Sequence, residues 1–436
     1  MELQMLSRKR PLFNGYAEEP PLYTKKCLVS LKTLLDRCDS DRSTEHARLQ
    51  TSWGHTCTSE VCVNGGTKHL NDTESFLEQI SSWADTQYSL KKVLEHLKFR
   101  QATGDIILNE SANKKLLEFH RDITEECGAE DKQHSWAVIE KQEEVVMYGP
   151  YYPNYNNGEH SEDIVIKQTQ ELLESETVSE DWKVYVFTMN SPCLARNTYP
   201  CMLNLVQKAQ EWWSMYGVKT HIGYVKCWGF KGTKETLFRD INYSQVDCMD
   251  QTEDHESYVK AAEKTDLNPL CESLFSAVKR LLRSESLTLN IITVQGQDWK
   301  SYFKGMHSVF ESKPEEEKII CTQEANAVIE AAQVLLSERS ESFEKYLEKG
   351  RAFAFQYSSQ VSETIQDQIR LTFQLCWKEM VQDKYAEVIR EKLTEDFNHC
   401  TVQLFMKDIV KFTKEYLEIG RIQFSEEALQ LNSLPT

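Results

Sequence analysis

No stretch of this sequence stays apolar for the roughly 20 residues that a membrane-spanning helix needs, so no membrane partner is expected. An excess of basic charge is also missing. Fifty Lys and Arg stand against 68 Asp and Glu, a net −18, which argues against a broad electrostatic grip on nucleic acid or anionic membrane and leaves only a local basic groove open. The opening MELQMLSRKRPLFNGY has no apolar stretch behind its basic cluster, so an export signal is not read there and a cytoplasmic or nuclear location is expected. The 13 cysteines are odd in number and scattered, unlike a disulfide framework; mostly reduced, buried thiols are expected, with a few available for metal. No repeat of fixed period is found. What is present suffices for a folded chain: 40% hydrophobic residues over 436 positions exclude wholesale disorder and suggest two to four domains.

Four regions are expected: a partly ordered segment at 1–70, a helical region at 71–130, an α/β domain at 131–313 and a C-terminal helical domain at 314–436. The first holds Pro20-Pro21-Leu22-Tyr23, a string of the kind that binds WW domains, though such short patterns often arise by chance. In the second, Phe76, Ile80, Trp83, Leu90, Val93, Leu94 and Leu97 keep helical spacing, and Leu116, Leu117 and Ile123 mark another helix. The third alternates. Ser135–Ile139 and Val145–Tyr148 read as a hairpin, followed by a helix over 161–175, a buried strand over 183–189, a helix from Pro200 to Gly217 and a strand over 218–228. A polar stretch covers 229–256. Asn268-Pro269 then reads as a helix start, Leu287–Val294 (LTLNIITV) as the last strand, and a helix is expected from Asp298. No proline falls between Pro314 and Pro435, so the helices of the fourth region can be long.

Two strings carry the chemistry. His160-Ser161-Glu162 opens a helix, and Ser191-Pro192-Cys193 ends a strand, with Pro200-Cys201 opening the next helix. They offer one imidazole and two thiols from elements packed on one sheet, three ligands of a tetrahedral zinc with a fourth position open. Helix N-termini favour thiolate over thiol. Zinc makes water a nucleophile near neutral pH, and Glu162, two residues beyond the histidine, can carry protons without ligating the metal. A lone HxE, or a lone cysteine at a helix start, would say little; the order on an α/β frame says more.

HxE, a strand, SPC and a further Cys together resemble the cytidine deaminase-like superfamily, closest in pattern to its AID/APOBEC and tRNA adenosine deaminase branch. The resemblance covers about 135–312 and extends to the phrase FTMNSPC. It implies an α/β fold, a three-layer core with a mixed sheet whose last strand lies parallel, flanked by N-terminal helices and a C-terminal helical region. It implies zinc held by His160, Cys193 and Cys201, with Glu162 as general acid and base, in a hydrolase that deaminates a cytosine or adenine ring. One departure is plain: seven residues, LARNTYP, separate Cys193 from Cys201, where the family usually has two to four. The loop places Arg196 and Asn197 beside the pocket.

The candidate substrate-binding residues are Tyr152, Tyr155, Asn157, Ser191 and Arg196. The tyrosines stack on a base or pack the loop, and Asn157 with Asn154 and Asn156 bonds a base edge or shapes turns. Trp212 and Trp213 read as core, and His221 as a satisfied histidine. His55, Cys57 and Cys62 form a weaker second metal candidate. Between 132 and 242, 11 Lys and Arg stand against 14 Asp and Glu, so no positive track marks a polynucleotide editor, and a nucleoside, nucleotide or single-stranded nucleic acid all remain open as substrates. The competing expectation is an inactive deaminase-like scaffold whose C-terminal helices, or the string at Pro20, recruit protein partners. Open space beside Glu162 discriminates the two.

Overall fold

A computed structural model describes residues 66–99, 104–127, 132–142, 144–175, 181–196, 198–230, 238–265, 267–284, 287–291, 299–308, 310–336, 340–358 and 361–424. The Pro20 string and the His55, Cys57, Cys62 set lie outside these residues, as does Asn197.

Two helices come first, α1 (Gly66–Ala84) and α2 (Thr86–Phe99). The stripe read from sequence is their buried face: Phe76, Ile80, Trp83, Leu90, Val93, Leu94 and Leu97 are all in the core. Then come α3 (Glu110–Cys127), the hairpin β1 (Ser135–Glu140) and β2 (Val145–Tyr151), α4 (Ser161–Ser175), β3 (Lys183–Asn190), α5 (Cys201–Tyr216) and β4 (Lys219–Lys226). Gly217 ends α5 in the left-handed region (φ 69°), where its N–H reaches the carbonyl of Trp213 at 2.8 Å.

The five-stranded sheet is mixed: β2, β1, β3 and β4 lie side by side in that order, and a fifth strand near the end of the chain lies beyond β4. β1 is antiparallel to both β2 and β3, whereas β3 and β4 are parallel. Strand alternation divides the core into two faces. Trp136, Val138, Tyr185 and Phe187 meet Leu116, Phe119 and Ile123 of α3. Ala137, Ile139, Val184 and Val186 have the opposite parity and are also buried. α4 touches β1 and α5 touches β4, and the two helices contact each other, with Trp212 Nε1 donating to Gln170 Oε1 at 2.8 Å. The result is a three-layer deaminase-like core.

The fifth strand corrects the sequence reading. It is β7 (Leu417–Arg421), parallel to β4 from Thr220↔Leu417 to Tyr224↔Arg421. Of the expected last strand, Leu287–Val294, residues 292–294 lie outside the described residues; the described part forms β5 (Thr288–Leu289), which pairs with β6 (Glu341–Ser342) in a separate two-stranded sheet. Leu289 and Ile291 are buried in a different, largely helical core, which explains the apolar run that reads as a sheet strand. The parallel orientation implied by the resemblance is found, on a different segment. β7 fits where it does because two glycines face each other there. Gly223 pairs with Gly420, and a Cβ on Gly420 would lie 2.5 Å from the backbone nitrogen of Leu108. Residues 106–108 therefore run alongside β7, with Arg421 N–H donating to Ile106 O at 2.8 Å.

The chain forms two compact units. One comprises Met1–Leu237 with Glu395–Thr436, the other Phe238–Thr394, inserted in sequence between β4 and β7. The sequence-based division sets its boundary at 313/314 instead. The second unit contains α6 (Tyr243–Gln251), α7 (His255–Lys264), α8 (Glu272–Ser284), a 3₁₀ turn at Trp299–Lys304, α9 (Gly305–Ser308), α10 (Glu315–Ala331), a 3₁₀ turn at Ala332–Leu335, α11 (Phe343–Gln356) and the first part of α12 (Glu363–Thr413). α6 and α7 lie in and beyond the stretch read as polar. α8 starts at Glu272, not at Asn268-Pro269, where the Asn268 carbonyl instead accepts from Gln245 Nε2 at 3.1 Å. α12 runs unbroken for 51 residues, as the lack of proline allows.

Candidate metal centre

His160 stands immediately before α4, and its backbone N–H donates to Asp163 Oδ2 at 2.9 Å, closing the first turn. Cys193 follows β3. Cys201 is the first residue of α5, behind Pro200. The loop carrying Cys193 is pinned on one side by Ser191 N–H to Lys226 O at 2.7 Å and Leu194 N–H to Gly229 O at 3.0 Å, and its other end is tied by Met202 N–H to Cys193 O at 3.0 Å.

These constraints bring His160, Cys193 and Cys201 together, with their ligating atoms all within 4.8 Å of one another. His160 Nδ1 is 3.7 Å from Cys193 Sγ and 3.4 Å from Cys201 Sγ. A tetrahedral zinc with Zn–N and Zn–S bonds of about 2.0 and 2.3 Å spaces its ligand atoms about 3.6 Å apart, so the donor set fits such an ion. Cys193 is the more acidic thiol, held down at about 5 chiefly by its hydrogen bond to Cys201, whose own thiol is pushed up by the same contact and by burial.

The wide spacing of the cysteines has a structural solution in Arg196. Its guanidinium holds Asp163 through Nη1 to Oδ2 at 2.7 Å and Nη2 to Oδ1 at 3.0 Å. Its Nε donates to the Tyr199 carbonyl at 2.7 Å, and Nη1 lies 3.4 Å from Cys201 Sγ. The seven-residue loop is thereby folded back so that Cys201 returns to the cluster.

Beside the cluster is a cavity of about 540 Å³ lined by Lys132, Gln133, Tyr152, Pro153, Tyr155, His160, Glu162, Asn190, Ser191, Cys193 and Trp228. Of the sequence-based substrate candidates, Tyr152, Tyr155 and Ser191 line it and two do not. Arg196 is committed to Asp163, and Asn157 is exposed in a turn where its backbone N–H donates to Asn154 O at 3.2 Å. Trp212 is core, and His221 is satisfied by Glu418 Oε2 at 3.2 Å and stacked on Tyr185, as read from sequence.

Glu162 is buried and held at both oxygens. Gln133 Nε2 (3.4 Å) and Thr188 Oγ1 (3.3 Å) reach Oε1, and Ser161 Oγ donates to Oε2 at 3.1 Å. Burial pushes its carboxyl up to about 7. Gln133, Asn190 and Trp228 are absent from the sequence-based set. Gln133 belongs to no motif, yet its Oε1 accepts from Asn190 N–H at 3.0 Å. Trp228 hangs on the serine of the SPC string, its N–H donating to Ser191 Oγ at 2.9 Å.

Residues 41–419 match the sequence model of a family described as Secreted Novel AID/APOBEC-like Deaminase 3, and the chain belongs to that family. The match confirms the superfamily resemblance and spans the inserted unit. It overturns the cytoplasmic or nuclear expectation, since the family is described as secreted. No curated protein matches the chain, and no solved structure does.

Proposed function

We propose that this deaminase family member is a zinc-dependent hydrolase that removes the exocyclic amine of a cytosine or adenine ring. The observation that carries this reading is the open cavity beside a buried Glu162, next to three donor atoms spaced for a tetrahedral ion. An inactive scaffold has no need of that open space.

His160, Cys193 and Cys201 would hold the zinc. The chemistry it supplies is Lewis acidity, which makes water a nucleophile near neutral pH. Glu162 takes one proton from the attacking water and passes it to the ring nitrogen; it then takes the remaining hydroxyl proton of the adduct and passes it to the exocyclic amine, so that the C–N bond breaks, ammonia leaves and the carbonyl forms. A carboxyl near neutrality suits both halves of that duty. Gln133, Thr188 and Ser161 orient it. Tyr152, Tyr155 and Trp228 offer aromatic faces for the ring, while Gln133, Asn190 and Ser191 offer hydrogen-bonding groups for its edge. Lys132 is the cationic side chain of the lining and suits a phosphate, so nucleotides and short single strands belong in the screen beside nucleosides. The family description directs that screen to substrates met outside the cell.

The test is zinc per chain by elemental analysis, with ammonia release from a nucleoside, nucleotide and oligonucleotide panel. Zinc lost in Cys201→Ala, and activity lost in Glu162→Ala with zinc retained, are expected. Activity that survives Glu162→Ala would end the assignment.

A further inference from the structure

A second donor set lies away from the cavity, where three segments remote in sequence converge. Asp105 precedes α3, Cys227 follows β4 and His399 sits in α12, all within the unit that holds the five-stranded sheet. A carboxylate oxygen, the thiol sulfur and a ring nitrogen of these residues lie within 4.8 Å of one another, with His399 Nδ1 3.2 Å from Asp105 Oδ1. None of the three lines the cavity around Glu162. We propose that Asp105, Cys227 and His399 form a second metal site, suited to a borderline divalent transition ion of the zinc class.

Donor chemistry and support both point that way. One thiolate, one imidazole and one carboxylate suit zinc and do not suit magnesium or calcium, which take oxygen ligands. Each donor also has the outer partner that metal ligands characteristically carry. The second oxygen of Asp105, Oδ2, pairs with Arg421 Nη1. The thiol of Cys227 is hydrogen-bonded by the Tyr224 side chain. The far nitrogen of His399, Nε2, lies 2.9 Å from the amide nitrogen of Gln403. With that amide turned so that its oxygen faces the ring, Nε2–H is the donor and the lone pair of Nδ1 points to the shared space. All three donors are half-buried, so an ion can enter from solvent.

An ion there would work as a clasp. It would tie the segment before α3, the end of β4 and α12 to one point, and through Arg421 it would reach β7, whose Nε also donates to Val225 O at 3.1 Å. Metal binding to the native state alone raises stability in proportion to the logarithm of ion concentration.

The experiment uses the full chain with Cys193→Ala and Cys201→Ala, so that the first cluster offers no thiolate. After chelation, cobalt(II) is titrated in and thiolate-to-cobalt charge-transfer absorption is followed, with circular dichroism as the control for folding. About one equivalent bound with that absorption is expected. The signal should vanish when Cys227→Ala is added, and binding should weaken at least about tenfold with His399→Ala. No absorption in the folded double variant, or absorption that persists without Cys227, overturns the proposal. If the double variant does not fold, wild type is compared with Cys227→Ser by elemental analysis. A loss of about one metal per chain supports the site, and an unchanged count overturns it.

Discussion

Arg196 and Asp163, 33 positions apart, meet through two hydrogen bonds of 2.7 and 3.0 Å, and the same two residues govern both halves of the candidate metal centre. Asp163 closes the first turn of α4 behind His160, while Arg196 folds back the loop that delivers Cys201.

Arg196→Ala should therefore lower zinc affinity by about 10–100-fold although Arg196 is not a ligand, because partners of this kind orient the donors. It should also cost about 2 kcal/mol of stability, the range for lost charge-assisted hydrogen bonds of a mostly buried pair. Arg196→Lys, which keeps the charge and loses the fork, should fall between the two. Chelator competition and urea unfolding read these outcomes; unchanged affinity in Arg196→Ala would remove the residue from the account.

Glu162→Gln keeps the shape and one of the two acceptor oxygens that Thr188 and Ser161 reach, and it removes the group that carries the proton. Ammonia release should fall by about 10²–10⁴-fold, with zinc per chain unchanged. A variant that lost zinc as well would show Glu162 acting on the metal rather than on the proton.

Gly420→Ala tests the last strand. The added methyl would meet backbone, Leu108 N at 2.5 Å and Ile107 C at 2.8 Å, and backbone yields less readily than a side chain. Overpacking of this kind costs about 1–3 kcal/mol, to be read from the urea midpoint. Gly305→Ala, where nothing stands within 4 Å, is the matched control and should be nearly neutral.

Glu418 supplies a pH dependence. Burial raises its pKa, but the His221 ring at 3.2 Å and the Asn109 backbone N–H at 2.7 Å outweigh burial, and the net shift is downward. A carboxylate with a lowered folded-state pKa contributes stability that is complete above its unfolded value, about 4.3, and is lost as pH falls through the folded value. Unfolding free energy should decline on acidification below about pH 4.3, and Glu418→Gln should flatten that decline. An identical slope in the variant would exclude Glu418 as a source.

Sequence and structure agree best from Ser135 to Lys226. There the period-two and helical patterns follow one another closely, Pro200 stands just before the first helical residue of α5, and Gly217 marks its end with a left-handed backbone that few other residues adopt. β7 is hidden for a physical reason. LEIGR is five residues long, holds a Glu and a Gly, and follows a 51-residue helix after three residues. Its strand character comes from β4 and residues 106–108 on either side, not from its own composition. LTLNIITV has that composition, but Leu289 and Ile291 are buried in a helical core. The three residues of the candidate metal centre stand out because each sits in a short recognisable string. Gln133 and Trp228 do not, because loop closure brings them to the cavity and leaves no periodic trace.

The placement of β7 sets a timetable for synthesis. When Lys226 leaves the ribosome, β4 has one neighbour and a bare edge, and its second neighbour is still 190 residues from being made. At roughly 5–20 residues per second, that edge waits on the order of ten seconds or more, exposed to any other strand in reach. At the end of that wait β7 must find the register that sets Gly420 opposite Gly223, where a Cβ on either would be crowded.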